Sequence, residues 1–239
     1  MFKDLFGKAM LDYVTGKQPG NLWTATNISE ADEMDVVYLF RSFDEMPEIE
    51  QKALKLARGK VLDVGCGAGS HTLYLQEKGL DVLAIDVSAN AVETCKIRGV
   101  QKVCQMNLLD VPADEKFDTI LLLMNGTGIF GKLKNTDKYL SKLKELLTDN
   151  GQILIDSSDL IYMFDEDEDG GKWIPMYGDY YGELTFCITY KNQQEEPFDW
   201  LYLDYNTLQN ACMAQQLNCE LILEGTNFDY LARITKLGN

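Results

Sequence analysis

The stretch VLDVGCGAGSHTLYL, residues 61–75, sets three glycines, Gly65, Gly67 and Gly69, into five positions directly after four residues that read as a buried strand. A strand, a glycine turn and a helix in that order make a cradle for a ligand at the helix N-terminus. Phosphates, dinucleotides and nucleosides all use such cradles, so the surrounding residues have to choose. A dinucleotide loop needs GxGxxG, and Ser70 stands where its last glycine belongs. A P-loop needs GK[ST], and the loop contains no lysine. Asp63, two residues before the first glycine, puts a carboxylate near the strand end, where it suits a cation better than a phosphate.

Outward from this loop, short apolar runs alternate with helical patterns, the signature of a parallel sheet with crossover helices. Strands are predicted at 61–64, 82–85, 102–106, 119–124 and 152–156, and helices at 72–78, 89–97 and 137–147, with Gly79, Gly99 and Gly151 at their C-terminal ends. Residues 182–205 carry two alternating strands around NQQEEP and read as an antiparallel hairpin inserted after the fifth strand, at about 158–205. A helix over 207–216 follows, and CELILEG and FDYLARITK then close the chain as a second hairpin around Gly225 and Thr226. Residues 1–59 read as two or three helices with an aromatic group, Trp23, Tyr38, Phe40 and Phe43, and are expected to form a helical lid; ordinary packing is the plainer role for such aromatics.

Composition narrows the partners. Twenty-two Lys and Arg stand against thirty-eight Asp and Glu, a net charge of -16, and no run of basic residues appears, which disfavours nucleic acids. The N-terminus lacks a signal-peptide core and the longest strongly apolar run, 120–124, is too short for a bilayer, so a cytoplasmic protein without a membrane partner is expected. Six cysteines without a CxxC pair argue against structural zinc and a disulfide framework. The acidic run DEDEDG, residues 165–170, opens like a calcium loop, but position twelve falls on Met176 instead of Glu, Trp173 takes position nine and Pro175 opposes an exiting helix. It reads as a solvated loop, and no metal site is expected.

The spacing in DVGCGAG, with Asp86 closing the next strand in LAIDVS, resembles motif I and its acidic partner in the class I S-adenosylmethionine-dependent methyltransferases. The resemblance extends over about 175 residues from Lys60 onward. It implies an α/β, Rossmann-like, seven-stranded and mostly parallel sheet in the order 3-2-1-4-5-7-6, with the last strand antiparallel. It also implies a cofactor domain over 60–239 behind the lid of 1–59. By this resemblance S-adenosylmethionine is the cofactor and S-adenosylhomocysteine its product. Asp63, Gly65, Cys66, Gly67 and Gly69 form the motif; Asp86 holds both ribose hydroxyls, with Val87 beside it. The adenine turn falls on Asn107 and Leu108, where the family often has Asp.

Met124 and Asn125, ending the fourth strand, fall where the family faces the methyl group and its acceptor. Asn125 is thus expected as a substrate contact, with a turn beside Gly126 as the bland alternative. Trp23, Tyr38 and Tyr181 are expected to wall the acceptor pocket, with Tyr177 and Tyr180 nearby. His71, the one histidine, reads as a helix-terminus or packing residue before it reads as a base, and no catalytic residue announces itself. The expected activity is methyl transfer to a small molecule. An aminopropyl transferase on the same nucleoside site, and a non-catalytic adenosyl-binding regulator, are the alternatives, since motif I reports binding and not turnover.

Overall fold

The computed structural model describes residues 3–18, 20–165, 167, 171, 172, 174 and 180–238. In chain order its elements are α1 (Leu5–Val14), β1 (Leu22–Thr26), β2 (Ser29–Met34), α2 (Glu48–Leu56), β3 (Lys60–Val64), α3 (Ser70–Glu77), β4 (Asp81–Asp86), α4 (Ala89–Arg98), β5 (Val103–Gln105) and β6 (Phe117–Leu122). Then come α5 (Thr136–Leu146), β7 (Leu147–Ser158), β8 (Glu183–Tyr190), β9 (Gln193–Gln194), β10 (Phe198–Leu201), α6 (Tyr205–Ala214), β11 (Leu217–Glu224) and β12 (Asp229–Lys236).

Seven strands form the main sheet in the order β11-β12-β7-β6-β3-β4-β5. β4, β3, β6 and β7 pair in parallel, as β5 does with β4, whereas β12 runs antiparallel to both β7 and β11. One strand is therefore reversed against six. The central strands are apolar on both faces because helices cover both faces. Along β6, Ile120 and Leu122 face a core shared with Leu140, Leu143 and Leu146 of α5 and Leu208 of α6. Leu121, between them, faces the opposite core with Ala53 and Leu54 of α2 and Leu75 of α3. This period of two, repeated at Ile153, Leu154 and Ile155 of β7, fixes the register, since a one-residue slip would exchange the two cores.

A second, antiparallel sheet runs β10-β8-β1-β2, with β9 paired to β8. It corrects the expectation that the N-terminal segment is a helical lid: α1, α2 and two short 3-10 turns are helical, but β1 and β2 are strands, and β1 pairs with β8 from Leu22–Tyr190 to Thr26–Phe186. The reason lies in the pairing. β2 is SEADEM, exposed along nearly its whole length with no apolar face, and β1 is completed by a strand from the far end of the chain, so no window of local periodicity reveals either.

α1 is bound to this second sheet at both ends. Glu195, buried beside β9, accepts hydrogen bonds from the backbone N–H groups of Lys3 at 2.6 Å and Leu5 at 3.0 Å, and Asp12 accepts from Tyr190 at 3.1 Å and Lys191 at 2.7 Å. A carboxylate at a helix N-terminus satisfies orphan donors and complements the dipole. Glu195→Ala is expected to cost about 1–2 kcal/mol. Amide hydrogen exchange should then quicken in α1 well ahead of β3 and β6; equal loss of protection in all three would contradict this anchoring.

Candidate active site

The loop between β3 and α3 is tied to β4 by its backbone. Gly65 and Cys66 both donate to the Ile85 carbonyl, at 2.8 and 3.1 Å. Gly67 and Gly69 have φ of +52° and +82°, which favour glycine, and at Gly69 a Cβ would meet Cys95 Sγ at 2.9 Å and Val100 Cγ2 at 3.0 Å. That glycine lets α4 and its following turn close onto the loop. Cys66 is 7% exposed with its sulfur 3.8 Å from Cys95 Sγ, so it offers the site its backbone.

Asp86 ends β4 with its carboxylate oriented by two backbone donors, Gly67 N–H to Oδ2 at 2.9 Å and Ser88 N–H to Oδ1 at 2.8 Å. Each oxygen retains a lone pair, so the carboxylate can accept two further hydroxyls side by side. Burial pushes its pKa up, against the two backbone hydrogen bonds that lower it. Val87 follows with its side chain 53% exposed, an apolar surface at the strand end. Asn107 accepts from Leu109 N–H at 2.9 Å through Oδ1, which fixes the amide. Leu108 is 2% exposed and its side chain belongs to the core, so only its backbone can meet a ligand.

Asp63 is buried under the loop, where Thr72 of α3 donates to it. Burial raises its pKa, while the His71 charge and the Thr72 hydrogen bonds oppose this. His71, in the first turn of α3, is also buried, and its Nε2 lies 2.6 Å from Oε2 of Glu50 on α2. Burial by itself would lower the His71 pKa, but the Glu50 hydrogen bond and the charges of Asp63, Glu50 and Asp156 hold it above its ordinary value. The other Glu50 oxygen, Oε1, takes Arg41 Nη2 at 2.7 Å. Sequence reasoning missed Arg41 and Glu50, because Glu50 sits in EIEQKALKL among charges that look solvated.

The turn after β6 is conformationally unusual. Met124 and Asn125 are consecutive residues with φ of +64° and +62°, a left-handed pair in which neither is glycine. Asp156 near the end of β7 holds it, accepting from Met124 N–H at 3.1 Å and Gly126 N–H at 2.9 Å. Burial pushes the Asp156 pKa up to about 6, against the hydrogen bonds from the turn. The Asn125 side chain is engaged with the scaffold: Ser157 donates to its Oδ1 at 3.0 Å, and its amide reaches the Leu201 carbonyl at 3.4 Å.

Other expected pocket residues are spread more widely. Tyr181 donates to Asp159 at 2.7 Å and lies against Tyr180, which donates to Asp204 at 2.6 Å, so both flank the region beyond β7. Trp23 sits within the second sheet opposite Glu33 and Thr189. Tyr38, 45% exposed, has its ring 3.4 Å from the Arg41 guanidinium carbon and serves as a platform for it. Tyr177 lies outside the described residues, as do Trp173, Pro175 and Met176 of the acidic loop.

A doubly wound sheet whose first crossover carries three glycines, with a carboxylate closing the neighbouring strand, defines a nucleoside-binding α/β protein. Residues 55–222 match the family described as "Methyltransferase domain", and the chain belongs to it. It is similar over 98% of its length to a SAM-dependent methyltransferase from Bacteroides fragilis, solved in complex with S-adenosyl-L-homocysteine, at 46% identity, 95% coverage of that chain and a TM-score of 0.90. An uncharacterized methyltransferase of Staphylococcus carnosus is 26% identical, over 81% of this chain and 86% of its own. A methyltransferase from Clostridium acetobutylicum, at 16% identity and a TM-score of 0.60 over 82% of this chain and 94% of its own, shares the fold. The chain is thus an S-adenosylmethionine-dependent methyltransferase. Among the described residues no helix is long and apolar enough to cross a membrane.

Proposed function

We propose that this enzyme methylates a small-molecule acceptor held at the end of β6 and β7, under a cover formed by the described residues of 1–59 and of the insertion after β7. The observation that carries this reading is how tightly the N-terminal segment is docked on the glycine loop. Ser70 Oγ donates to the Leu39 carbonyl at 2.9 Å, Asp4 accepts from Asn90 at the start of α4 at 3.0 Å, and Met10 is buried with Ala68 and Ala91. Arg98 joins them, donating to the Ala68 carbonyl at 2.6 Å beneath the Phe40 ring. A cover sealed by such contacts suits an enclosed acceptor better than a long polymer, and a net charge of -16 disfavours a polyanion.

In this reading Asp86 takes both ribose hydroxyls, Val87 lies along the adenine, and the Asn107 amide with the Leu108 backbone meets the adenine edge. S-adenosylmethionine supplies a methyl group already activated on a sulfonium. The chain's work is alignment and exclusion of water, which in well-oriented reactions amounts to about 7 kcal/mol or more. Met124 flanks the methyl position, Tyr181 and the Met124–Asn125 turn border the acceptor, and Asn125 acts by fixing that turn through Ser157 and Leu201. The acid groups around the site, Asp63, Asp86 and Asp156, suit a cationic ligand.

Incubation with labelled S-adenosylmethionine and pooled metabolites, RNA or protein fractions tests the acceptor class. Label in small molecules is expected. Label confined to RNA or protein would overturn the proposal, and no transfer to any pool would favour an adenosyl-binding regulator.

A further inference from the structure

Four aromatic rings gather on one face of the second sheet. Phe198 and Trp200 of β10 pair with Phe186 and Leu184 of β8, so these side chains share a face, and Tyr202 follows two residues past Trp200. The Phe186 ring stands among the others, 6.1 Å from Phe198, 6.2 Å from Trp200 and 6.5 Å from Tyr202. Phe198 packs into the core that joins Leu5 and Ala9 of α1 to the sheet. Among the described residues, Phe186, Trp200 and Tyr202 pack against none of the apolar cores and stay half-buried. Along β8 and β10 this face carries no charged residue. Large rings left outside every core form an apolar surface of the kind kept for a ligand.

The place of these rings in the fold points to the ligand. Trp200 lies on Gly128, in the turn after β6, so closely that a Cβ there would meet the indole Cε2 at 2.0 Å and Nε1 at 2.2 Å. Next to it the Leu201 carbonyl accepts from Thr127 Oγ1 at 2.9 Å, which ties the end of β10 to the same turn. Ile129, one residue on, lies against Gly65 of the glycine loop, where a Cβ would meet its Cδ1 at 3.3 Å. The turn thus has the cofactor loop at Ile129 and the aromatic face at Gly128. Among the described residues the Tyr202 hydroxyl has no hydrogen-bond partner. Burial, and after it the charges of Tyr162 and Asp156, push its pKa up to about 12, so it stays a neutral hydroxyl. We infer that the acceptor is a small aromatic molecule, its ring seated against Trp200 and Phe186 and its hydroxyl or amino substituent held by Tyr202. This rests on the acceptor lying at the end of β6 and β7, as proposed above. A planar ring meets a wall of rings by offset stacking or edge contact, whereas a sugar needs a partner for each of several hydroxyls and finds little here beyond Tyr202 and the indole N–H. The Tyr202 oxygen can accept the substituent's O–H or N–H and leave a lone pair free. That lone pair bonds to the methyl carbon as the sulfonium C–S bond breaks; S-adenosylhomocysteine leaves, and the substituent's proton passes to solvent.

The full chain, labelled S-adenosylmethionine and pooled metabolites test it, with the labelled product isolated and read by mass spectrometry and ultraviolet absorbance. The product from wild type is expected to contain an aromatic ring bearing the new methyl on oxygen or nitrogen, a result that needs no variant to fold. With the pool diluted, Trp200→Ala should form that product about tenfold more slowly, the scale of one lost ring contact, and the deficit should shrink as the pool is concentrated. Its affinity for S-adenosylhomocysteine should be unchanged. Trp200→Phe, which keeps a ring on Gly128, should recover most of the rate. Tyr202→Phe keeps the wall and loses the hydroxyl, and should slow transfer about fivefold, as one lost hydrogen bond does. An aliphatic or sugar product, or Trp200→Ala labelling the diluted pool as fast as wild type, would overturn the aromatic class and leave a small-molecule acceptor standing. Label confined to RNA or protein, or found in no pool, would instead remove the small-molecule reading on which the class rests.

Discussion

Asp86→Ala is expected to weaken S-adenosylhomocysteine binding by at least about 200-fold, the largest effect of any single change to the cofactor site. The carboxylate is oriented by Gly67 N–H and Ser88 N–H, one on each oxygen, so its free lone pairs are aimed before ligand arrives. A hydrogen bond to a charged group contributes about 1.5–3 kcal/mol, and two ribose hydroxyls would each make one. The same substitution removes the acceptor for Gly67 N–H and loosens the loop itself, which adds to the loss. Asp86→Asn separates the two contributions. An amide still accepts from one backbone donor but offers only one acceptor oxygen, so it should keep the loop and lose most of the ribose contact. Calorimetry with 2′-deoxyadenosine analogues of the ligand completes the cycle. If wild type discriminates against the deoxy analogue and Asp86→Asn does not, the carboxylate reads the hydroxyls; undiminished discrimination in Asp86→Asn would contradict this.

How much of this was legible in the sequence depends on how local each feature is. β3, the glycine turn and α3 announce themselves because strand period, glycine demand and helix period all fall within fifteen residues, and Asp86 follows at the next strand end. The closing hairpin is legible for the same reason, with alternating residues flanking a short turn at Gly225. The second sheet was legible only in its β8 and β10 hairpin, since β1 is paired by β8 and β2 carries no apolar face. In the site, the polar network escaped the same way. Arg41, Glu50 and His71 come from a loop and two helices that no motif spacing connects, and only the fold brings Glu50 between the other two. Tyr38 stacks on the Arg41 guanidinium, a contact that its aromatic character alone does not announce. Asn125 lies in the turn after β6, and what holds its side chain there is Ser157 and Leu201, which arrive from β7 and β10 and have no local signal.

Asp156 is the residue on which we expect turnover, more than cofactor affinity, to depend. Two successive left-handed residues that are not glycine cost of order 1–3 kcal/mol each and persist only where surroundings over-determine them. Here the surroundings are the Ser157 and Leu201 contacts of Asn125 and, on the backbone, one carboxylate that receives Met124 N–H and Gly126 N–H on separate oxygens. Asp156→Ala removes both acceptors, and the turn is then expected to relax toward ordinary backbone angles, displacing Met124 from the place proposed for it beside the methyl group. Misplacement by about 1 Å can cost about 100-fold in rate, so kcat should fall by about that factor while S-adenosylhomocysteine affinity changes by less than about threefold. The sign of the pH dependence follows from the same group. With its pKa pushed up to about 6, Asp156 is mostly protonated below that pH and offers the turn one good acceptor oxygen and one hydroxyl. Above it, both oxygens accept. Turnover should therefore rise through about pH 6 in wild type and flatten above it, and Asp156→Asn should be slow and lack that rise. The stability contribution runs the other way: a carboxyl whose folded pKa lies above its unfolded value of 3.8 binds more protons when folded, so ionising it lowers the unfolding free energy as pH climbs from about 4 to about 6. A rate profile that rises while the unfolding midpoint falls across this window distinguishes Asp156 from a group that merely holds the fold together. Parallel changes in rate and midpoint, or an unaltered profile in Asp156→Asn, would assign the turn's geometry to some other support.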